Sequence, residues 1–277
     1  MTRPGTNPRT KASTLAVLIP FFNERDYLPR TLATLLAQSR PPDEVILVDN
    51  GSTDGSGDWC RQWASFTAFT RVSILQEDRP GKIHALRKGL DQVRSDLVAT
   101  WDADIEYPPH YLELGERMLR NGKSDVAAAM AVYLHGPPHQ GWHSVYRWVM
   151  PLLSHWFPTK CLTGGGGQLF RTALLRMAGG FDAEKWPCVL LDHEVMHRVF
   201  HFGKTVYDPQ FWCLHSERRG DRKAVRWTVW ERFLYLYMPP AGLEWFFYRF
   251  LKPRLQRRRQ DQLSLRLQPW QHAETVS

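Results

Sequence analysis

No two cysteines in this chain are spaced as C-x-x-C. The four present, Cys60, Cys161, Cys188 and Cys213, are scattered singly. That argues against a zinc ribbon, a thiol-redox motif and a disulfide-dense secreted fold, and makes a reducing cytoplasm the simplest expectation. The first residues, MTRPGTNPRTKAST, are basic and polar and lack an apolar h-region, so no secretory signal is expected. No run of about 18 uncharged apolar residues occurs, and a transmembrane helix is not expected. Internal repeats and low-complexity linkers are lacking too.

What is present is ordinary for a folded protein: 43% hydrophobic and 23% charged residues over 277 positions, enough chain to bury a core without staples. The formal charge of +8 favours anionic partners, whether phosphorylated small molecules, nucleic acid or anionic lipid. No nucleic-acid recognition motif accompanies it, and the aromatic residues cluster with apolar ones, so no nucleic-acid partner is expected.

Short apolar runs alternate with helical patterns. Leu15–Ile19, Val45–Val48, Val72–Leu75 and Leu97–Trp101 read as strands buried on both faces, as in a parallel sheet. Helical spacing or N-cap chemistry follows each at about 24–38, 55–65, 81–93 and after Pro108-Pro109. Asp125 to Val132 is a further strand, 191–202 a helix, and 204–214 a final strand pair. The order predicts an α/β fold with a mostly parallel sheet flanked by helices. Residues 1–14 read as a disordered leader, 15–221 as the folded domain, and 222–277 as an aromatic, basic, helical extension.

In such sheets ligands bind beyond the carboxyl ends of the strands, where the most polar turns fall at 20–24, 49–54 and 102–104. Asp102 and Asp104, one residue apart at a strand end, suit a hard divalent cation or a division of work between cation and ribose. Asp49 suits a ribose or a base N–H. Ser52 and Asp54 fit helix capping as well as ligand contact. In Asp192-His193-Glu194 the two carboxylates fall on different helical faces. One aimed into a cleft would serve as general base, although plain N-terminal helix charge explains the pattern as well.

Taken in order, Leu18-Ile19-Pro20-Phe21-Phe22-Asn23-Glu24, then Val48-Asp49-Asn50-Gly51-Ser52-Thr53-Asp54, then Gly81-Lys82 ahead of Ala85-Leu86, then Asp102-Ala103-Asp104 closely resemble family 2 glycosyltransferases over about residues 15–215. The resemblance implies a GT-A, Rossmann-like fold and inverting transfer of a sugar from a nucleotide-diphosphate sugar, UDP-linked by preference, with Mg²⁺ or Mn²⁺. It implies that Pro20, Phe22 and Glu24 line the nucleotide pocket, that Asp49 binds base or ribose, and that Lys82 contacts the nucleotide. Asp102 reaches ribose or metal, with Ala103 beside it, and Asp104 ligates the metal. Gly165 and Gly166, in the Gly164–Gly167 run, belong to the acceptor-side loop. Asp192 is the base, and His215 stands where members place a metal or diphosphate contact; a structural histidine is the alternative there.

Two positions depart from the family pattern: Asn50 replaces a second Asp, and Leu191 replaces the Glu before the base. The Gln-x-x-Arg-Trp motif of processive synthases is absent, so transfer of one hexosyl unit is expected, not polymer synthesis. Arg218, Arg219 and Arg222, on a glycine-containing loop, are expected to close over the phosphates. Aromatics from Trp227 to Phe250 followed by Lys252–Arg259 suit an interfacial helix on anionic lipid, broken at Pro239-Pro240, or aromatics packed on the core beneath a solvated basic tail. The first option fits a peripheral location at the cytoplasmic face of a membrane and a glycan or lipid-linked hydroxyl acceptor. The competing readings are a non-catalytic nucleotide-sugar-binding module and a metal-dependent nucleotidyltransferase. The second is disfavoured because 20–24 contains no glycine to form a phosphate loop.

Overall fold

A computed structural model describes residues 13–69, 71–121, 125–135, 141–216, 227–261 and 263. Four strands, β1 (Leu15–Phe21), β2 (Glu44–Asp49), β3 (Val72–Gln76) and β4 (Leu97–Trp101), alternate with α1 (Leu28–Leu36), α2 (Ser56–Phe66) and α3 (Lys82–Gln92). Then come β5 (Ile105–Glu106), α4 (Tyr111–Asn121), β6 (Val126–His135), α5 (Gly141–Trp156), β7 (Gly167–Arg171), α6 (Thr172–Met177), α7 (Leu191–Val199) and β8 (Lys204–His215). The C-terminal segment carries α8 (Val229–Tyr237), α9 (Leu243–Trp245), a π-helical turn at Phe246–Leu251 and α10 (Lys252–Arg257).

The eight strands of the described residues form one sheet in the order β3-β2-β1-β4-β7-β6-β8-β5. The half built from β1 to β4 is parallel, as the continuous apolar runs require. The other half is mixed, because β7 runs antiparallel to both β4 and β6 and β5 runs antiparallel to β8. The expected strand pair at 204–214 is instead one long strand, β8. It follows β6 in parallel with two register shifts, so that it bends around the sheet and reaches β5.

Both faces of the sheet are buried, and successive residues of β1 serve different cores. Ala16 and Leu18 join α3, α7 and the C-terminal segment, while Leu15, Val17, Ile19 and Phe21 join α1 and α4. Pro20 lacks an N–H, yet it lies in an interior strand without penalty. Pairing to β4 has already stopped at Leu18–Thr100, so nothing there requires its donor. At the N-terminus, Thr14 is held by Asp96: its backbone N–H and its hydroxyl both donate to that carboxylate.

The C-terminal segment completes a core. Tyr235, Leu243, Phe246, Phe247, Leu251 and Leu255 are buried among Trp186, Val195 and Val199. The core-packing option therefore holds for these residues, whereas Trp230, Phe233, Tyr237 and Trp245 stay exposed. Glu231 caps α8 from Thr228 in a reciprocal box and receives Arg254 and Arg258 from α10. Among the described residues no helix is long and apolar enough to cross a membrane.

Candidate active site

The carboxyl ends of β1, β2 and β4 converge, and each carries one of the polar turns. At the end of β2, Asp49 accepts a hydrogen bond from Ser52 N–H at 2.8 Å and remains buried. Gly57 opposite it has no room for a Cβ. Ser52 holds the neighbouring turn, and Asp54 both holds it and caps α2, its Oδ1 accepting Ser56 N–H at 2.9 Å. Asn23 N–H donates to Ser52 Oγ at 3.1 Å, and Arg25 N–H donates to Asp54 Oδ2 at 3.0 Å. Asn23 itself takes the left-handed conformation with φ 52°, a region Asn tolerates better than most residues. These bonds fix the loop on which half-buried Phe22 and Glu24 stand, beside buried Pro20.

The departure at Asn50 has a structural reason. Its amide NH₂ donates to the carbonyls of Glu77 and Arg79, at 2.9 and 2.8 Å, and its Oδ1 accepts Gly81 N–H at 2.8 Å. A carboxylate could not make the two donations. Asn50 thereby pins the turn that leads into Lys82, whose ammonium pairs with Asp102.

Asp102 and Asp104 follow β4 and are both buried, with Ala103 buried between them. The backbone here is tightly determined. Asp102 N–H donates to Tyr107 Oη at 3.0 Å, and that hydroxyl donates to the carbonyl of Gly166. The Tyr107 ring lies flat on Trp101, centroids 3.7 Å apart. Ser216 N–H donates to the Asp104 carbonyl at 3.2 Å, and Ile105 is in register with His215, so the end of β8 is strapped beside the two carboxylates. His215 is buried and edge-on to Tyr133.

The glycine run joins this cluster to a second one. A Cβ on Gly166 would meet the Asp102 carboxylate at 2.5 Å, and a Cβ on Gly165 would meet Asp192 Cβ at 2.8 Å. Neither glycine has a positive φ, so the requirement is for space, not for unusual backbone. Adjacent residues of one loop thus rest against Asp102 on one side and Asp192 on the other.

Asp192 stands in the first turn of α7, entered through Leu190 at φ 64°, an unusual conformation for a branched side chain. Its Oδ1 lies 3.2 Å from His193 Nδ1. Burial pushes its pKa up, but the charge and hydrogen bond of His193, with the field of Lys82, outweigh burial and leave it below the usual carboxylate range. Glu194 is separated from this chemistry. It is fully buried in a two-point pair with Arg198 (2.7 and 2.9 Å) and accepts the Tyr248 hydroxyl, so it ties α7 to the C-terminal segment. Leu191, the second departure, packs into the core.

Asp102, Asp104 and His215, the metal set implied by the family resemblance, offer carboxylate oxygens and an imidazole of the kind Mg²⁺ or Mn²⁺ takes, at the strand ends beside a cradle that a Cβ at 166 would fill. Among the described residues, the ligand atoms that converge on one point belong to a different group. Cys161, Asp192 and His193 present ligand atoms within 4.8 Å of one another. Their thiol suits zinc more than magnesium, and burial holds that thiol well above its usual pKa. The motif reading overlooked this second cluster because Cys161 is 31 positions from Asp192 and matches no spacing rule. Arg218, Arg219 and Arg222 lie outside the described residues.

Comparison with known proteins agrees with this architecture. The profile of glycosyl transferase family 2 matches residues 16–176, more than half of the chain. An undecaprenyl-phosphate 4-deoxy-4-formamido-L-arabinose transferase of Serratia proteamaculans is 33% identical over 120 residues, 42% of this chain and 37% of that protein. The protein of the same name from Photorhabdus laumondii is 38% identical over 98 residues, 34% of this chain and 30% of that one. The match thus spans about a third of the length of these curated relatives. Among solved structures, a mannosyltransferase of Pyrobaculum calidifontis in complex with GDP-Man and Mn²⁺ superposes with TM-score 0.65 at 21% identity, covering 87% of this chain and 70% of that one. S. aureus TarS in complex with UDP-GlcNAc superposes with TM-score 0.56 at 16% identity, covering 93% and 77%. The fold is GT-A, and the chain belongs to glycosyl transferase family 2.

Proposed function

We propose that this chain is an inverting glycosyltransferase that moves a single sugar from a nucleotide-diphosphate sugar to an acceptor oxygen. One observation supports it above the others: consecutive glycines appose Asp102 and Asp192 across a single loop. Inversion needs the acceptor to attack from the side opposite the leaving diphosphate, and this loop separates one carboxylate cluster from the other.

On the donor side, Asp49, Phe22, Glu24 and Pro20 would receive the nucleoside, and Lys82, held by Asp102, would face its phosphates. Asp102, Asp104 and His215 would hold Mg²⁺ or Mn²⁺, which when bound neutralises charge on the diphosphate. On the acceptor side, Asp192 would take the proton of an acceptor hydroxyl, oriented by His193. Backbone at Gly165 and Gly166 leaves room for a sugar to approach. UDP- and GDP-sugars are the first donors to test, because fold relatives bind one of each.

The names of the curated relatives favour a second acceptor, a lipid phosphate. A phosphate oxygen is already largely ionised near neutral pH and requires no base, so Asp192 would then position and not deprotonate. A labelled-donor product assay with Mn²⁺ tests the proposal. Asp104→Ala is expected to abolish metal-dependent transfer, and Asp192→Asn to slow transfer to a hydroxyl by ~10²-fold or more. Wild-type turnover by Asp192→Asn on a hydroxyl acceptor overturns the base assignment. Transfer that persists in chelator overturns the metal role.

A further inference from the structure

We infer that α5 and α8 together form the face by which this protein sits on an anionic bilayer, with Asp192 and its acceptor side directly behind that face. The acceptor part rests on the proposed transferase function; the docking part does not.

Each helix carries an exposed apolar stripe at helical spacing. On α5 it is Val145, Trp148, Leu152 and Trp156, with Trp148 70% and Trp156 77% exposed. On α8 it is Val229, Trp230, Phe233 and Tyr237, with Trp230 60% and Phe233 50% exposed. The chain just past α5 meets the end of α8: Phe157 is edge-on to Tyr237 at 6.1 Å, and Lys160 donates to the Met238 carbonyl at 2.6 Å. The two stripes therefore adjoin at the C-terminal ends of their helices, more than the scattered apolar residues of an ordinary exterior.

Charge selects the occupant. Residues 141–163 contain no Asp or Glu. The single acid of α8, Glu231, is buried and occupied by Arg254 and Arg258. Arg232 is exposed beside the α8 stripe, and Arg257 and Arg259 are exposed on and just beyond α10. An apolar, tryptophan-rich face with Arg232 exposed beside it and no exposed carboxylate on α5 or α8 matches the boundary of an anionic membrane. The inner side of α8 points at the candidate site: the Tyr235 hydroxyl accepts Cys161 N–H at 2.8 Å, and the Tyr235 ring lies 5.7 Å from His193, which pairs with Asp192. One helix thickness, about 10 Å, separates lipid from base.

Flotation of the full chain with phosphatidylcholine vesicles, with and without phosphatidylglycerol, tests this. Binding is expected only to the anionic vesicles, weakening as salt is raised. The double substitutions Trp148→Glu/Trp156→Glu and Trp230→Glu/Phe233→Glu are each expected to lower binding at least ten-fold. Phe66→Glu, at a side chain 81% exposed on α2, is expected to leave it unchanged. In the unaltered protein, brominated lipid should quench tryptophan fluorescence, which gives a reading independent of whether the variants fold. No flotation with anionic vesicles at low salt overturns the inference. So does wild-type flotation by both folded double variants, or loss of self-association in place of vesicle binding. Flotation requires no donor, so intact docking with no sugar transfer overturns only the proposed function.

Discussion

Substituting Gly166 with Ala places a methyl 2.5 Å from the Asp102 carboxylate and 2.8 Å from Ile105 Cδ1, about 1 Å inside ordinary contact. Little can yield. Asp102 is held by Lys82 and by the Tyr107 bridge, and the Gly166 carbonyl is bound by the same Tyr107. Overpacking of this kind costs about 1–3 kcal/mol. At about 2–4 °C per kcal/mol for a chain of this size, Tm falls by roughly 2–12 °C. Displacement of Asp102 by even part of an ångström should weaken binding of Mn²⁺ with UDP or GDP. A misplacement near 1 Å lowers turnover by ~10²-fold. Gly165→Ala presses on Asp192 instead, at 2.8 Å. It should leave nucleotide affinity within about two-fold while reducing turnover by ~10-fold or more, since a smaller displacement costs less. Calorimetric titration with Mn²⁺–UDP and Mn²⁺–GDP, beside thermal melts and turnover, separates the two. Equal loss of nucleotide affinity in both variants refutes the division of the loop into donor and acceptor sides.

Three further outcomes follow from individual contacts. Asn50→Asp restores the family's usual residue, yet it sets a buried carboxylate against two carbonyls. Losing both donations should destabilise the fold by about 2–4 kcal/mol, and less at low pH, where the raised carboxyl protonates and regains one donor; an unchanged Tm contradicts the clamp. Arg198→Ala leaves Glu194 charged and buried, which should cost about 3–5 kcal/mol, measured by urea unfolding; a loss within 1 kcal/mol or so would deny that pair its structural role. Asp192 has a depressed folded pKa, so its contribution to stability is complete above its unfolded value of about 3.9 and is lost as pH falls through the folded value. Turnover on a hydroxyl acceptor should show no acid limb above the ordinary carboxylate range, with that limb moving upward in His193→Gln. A limb near 6 that follows the acceptor and ignores His193 instead marks a phosphate as the attacking group.

The strand–turn alternation was legible because parallel strands buried on both faces leave unbroken apolar runs, and the turns that follow them must carry the polar chemistry. Asp49, Asp102 and Asp104 were placed that way at the carboxyl ends of β2 and β4, where the structure has them. Asn50 was not explained, because its partners are carbonyls of residues 77 and 79, whose positions no local pattern reveals. The same holds for Tyr107, which joins Asp102 to a glycine 59 residues later. Cys161 reaches Asp192 only through the packing of the loop beneath α8. The aromatic C-terminus was visible as composition alone. Helical phase decides that Tyr235 faces His193 while Trp230 and Phe233 face outward, and Pro239-Pro240 resets that phase before Phe246 and Phe247 enter the core.

The central claim is that one carboxylate cluster holds the donor's cation and the other serves the acceptor. Crystals grown with Mn²⁺ and UDP, measured at the manganese absorption edge, test it most directly. The anomalous peak is expected in coordination contact, about 2.0–2.3 Å, with the Asp104 carboxylate at the end of β4. A peak seated between Cys161, Asp192 and His193, with Asp102 and Asp104 facing bulk water, would contradict it.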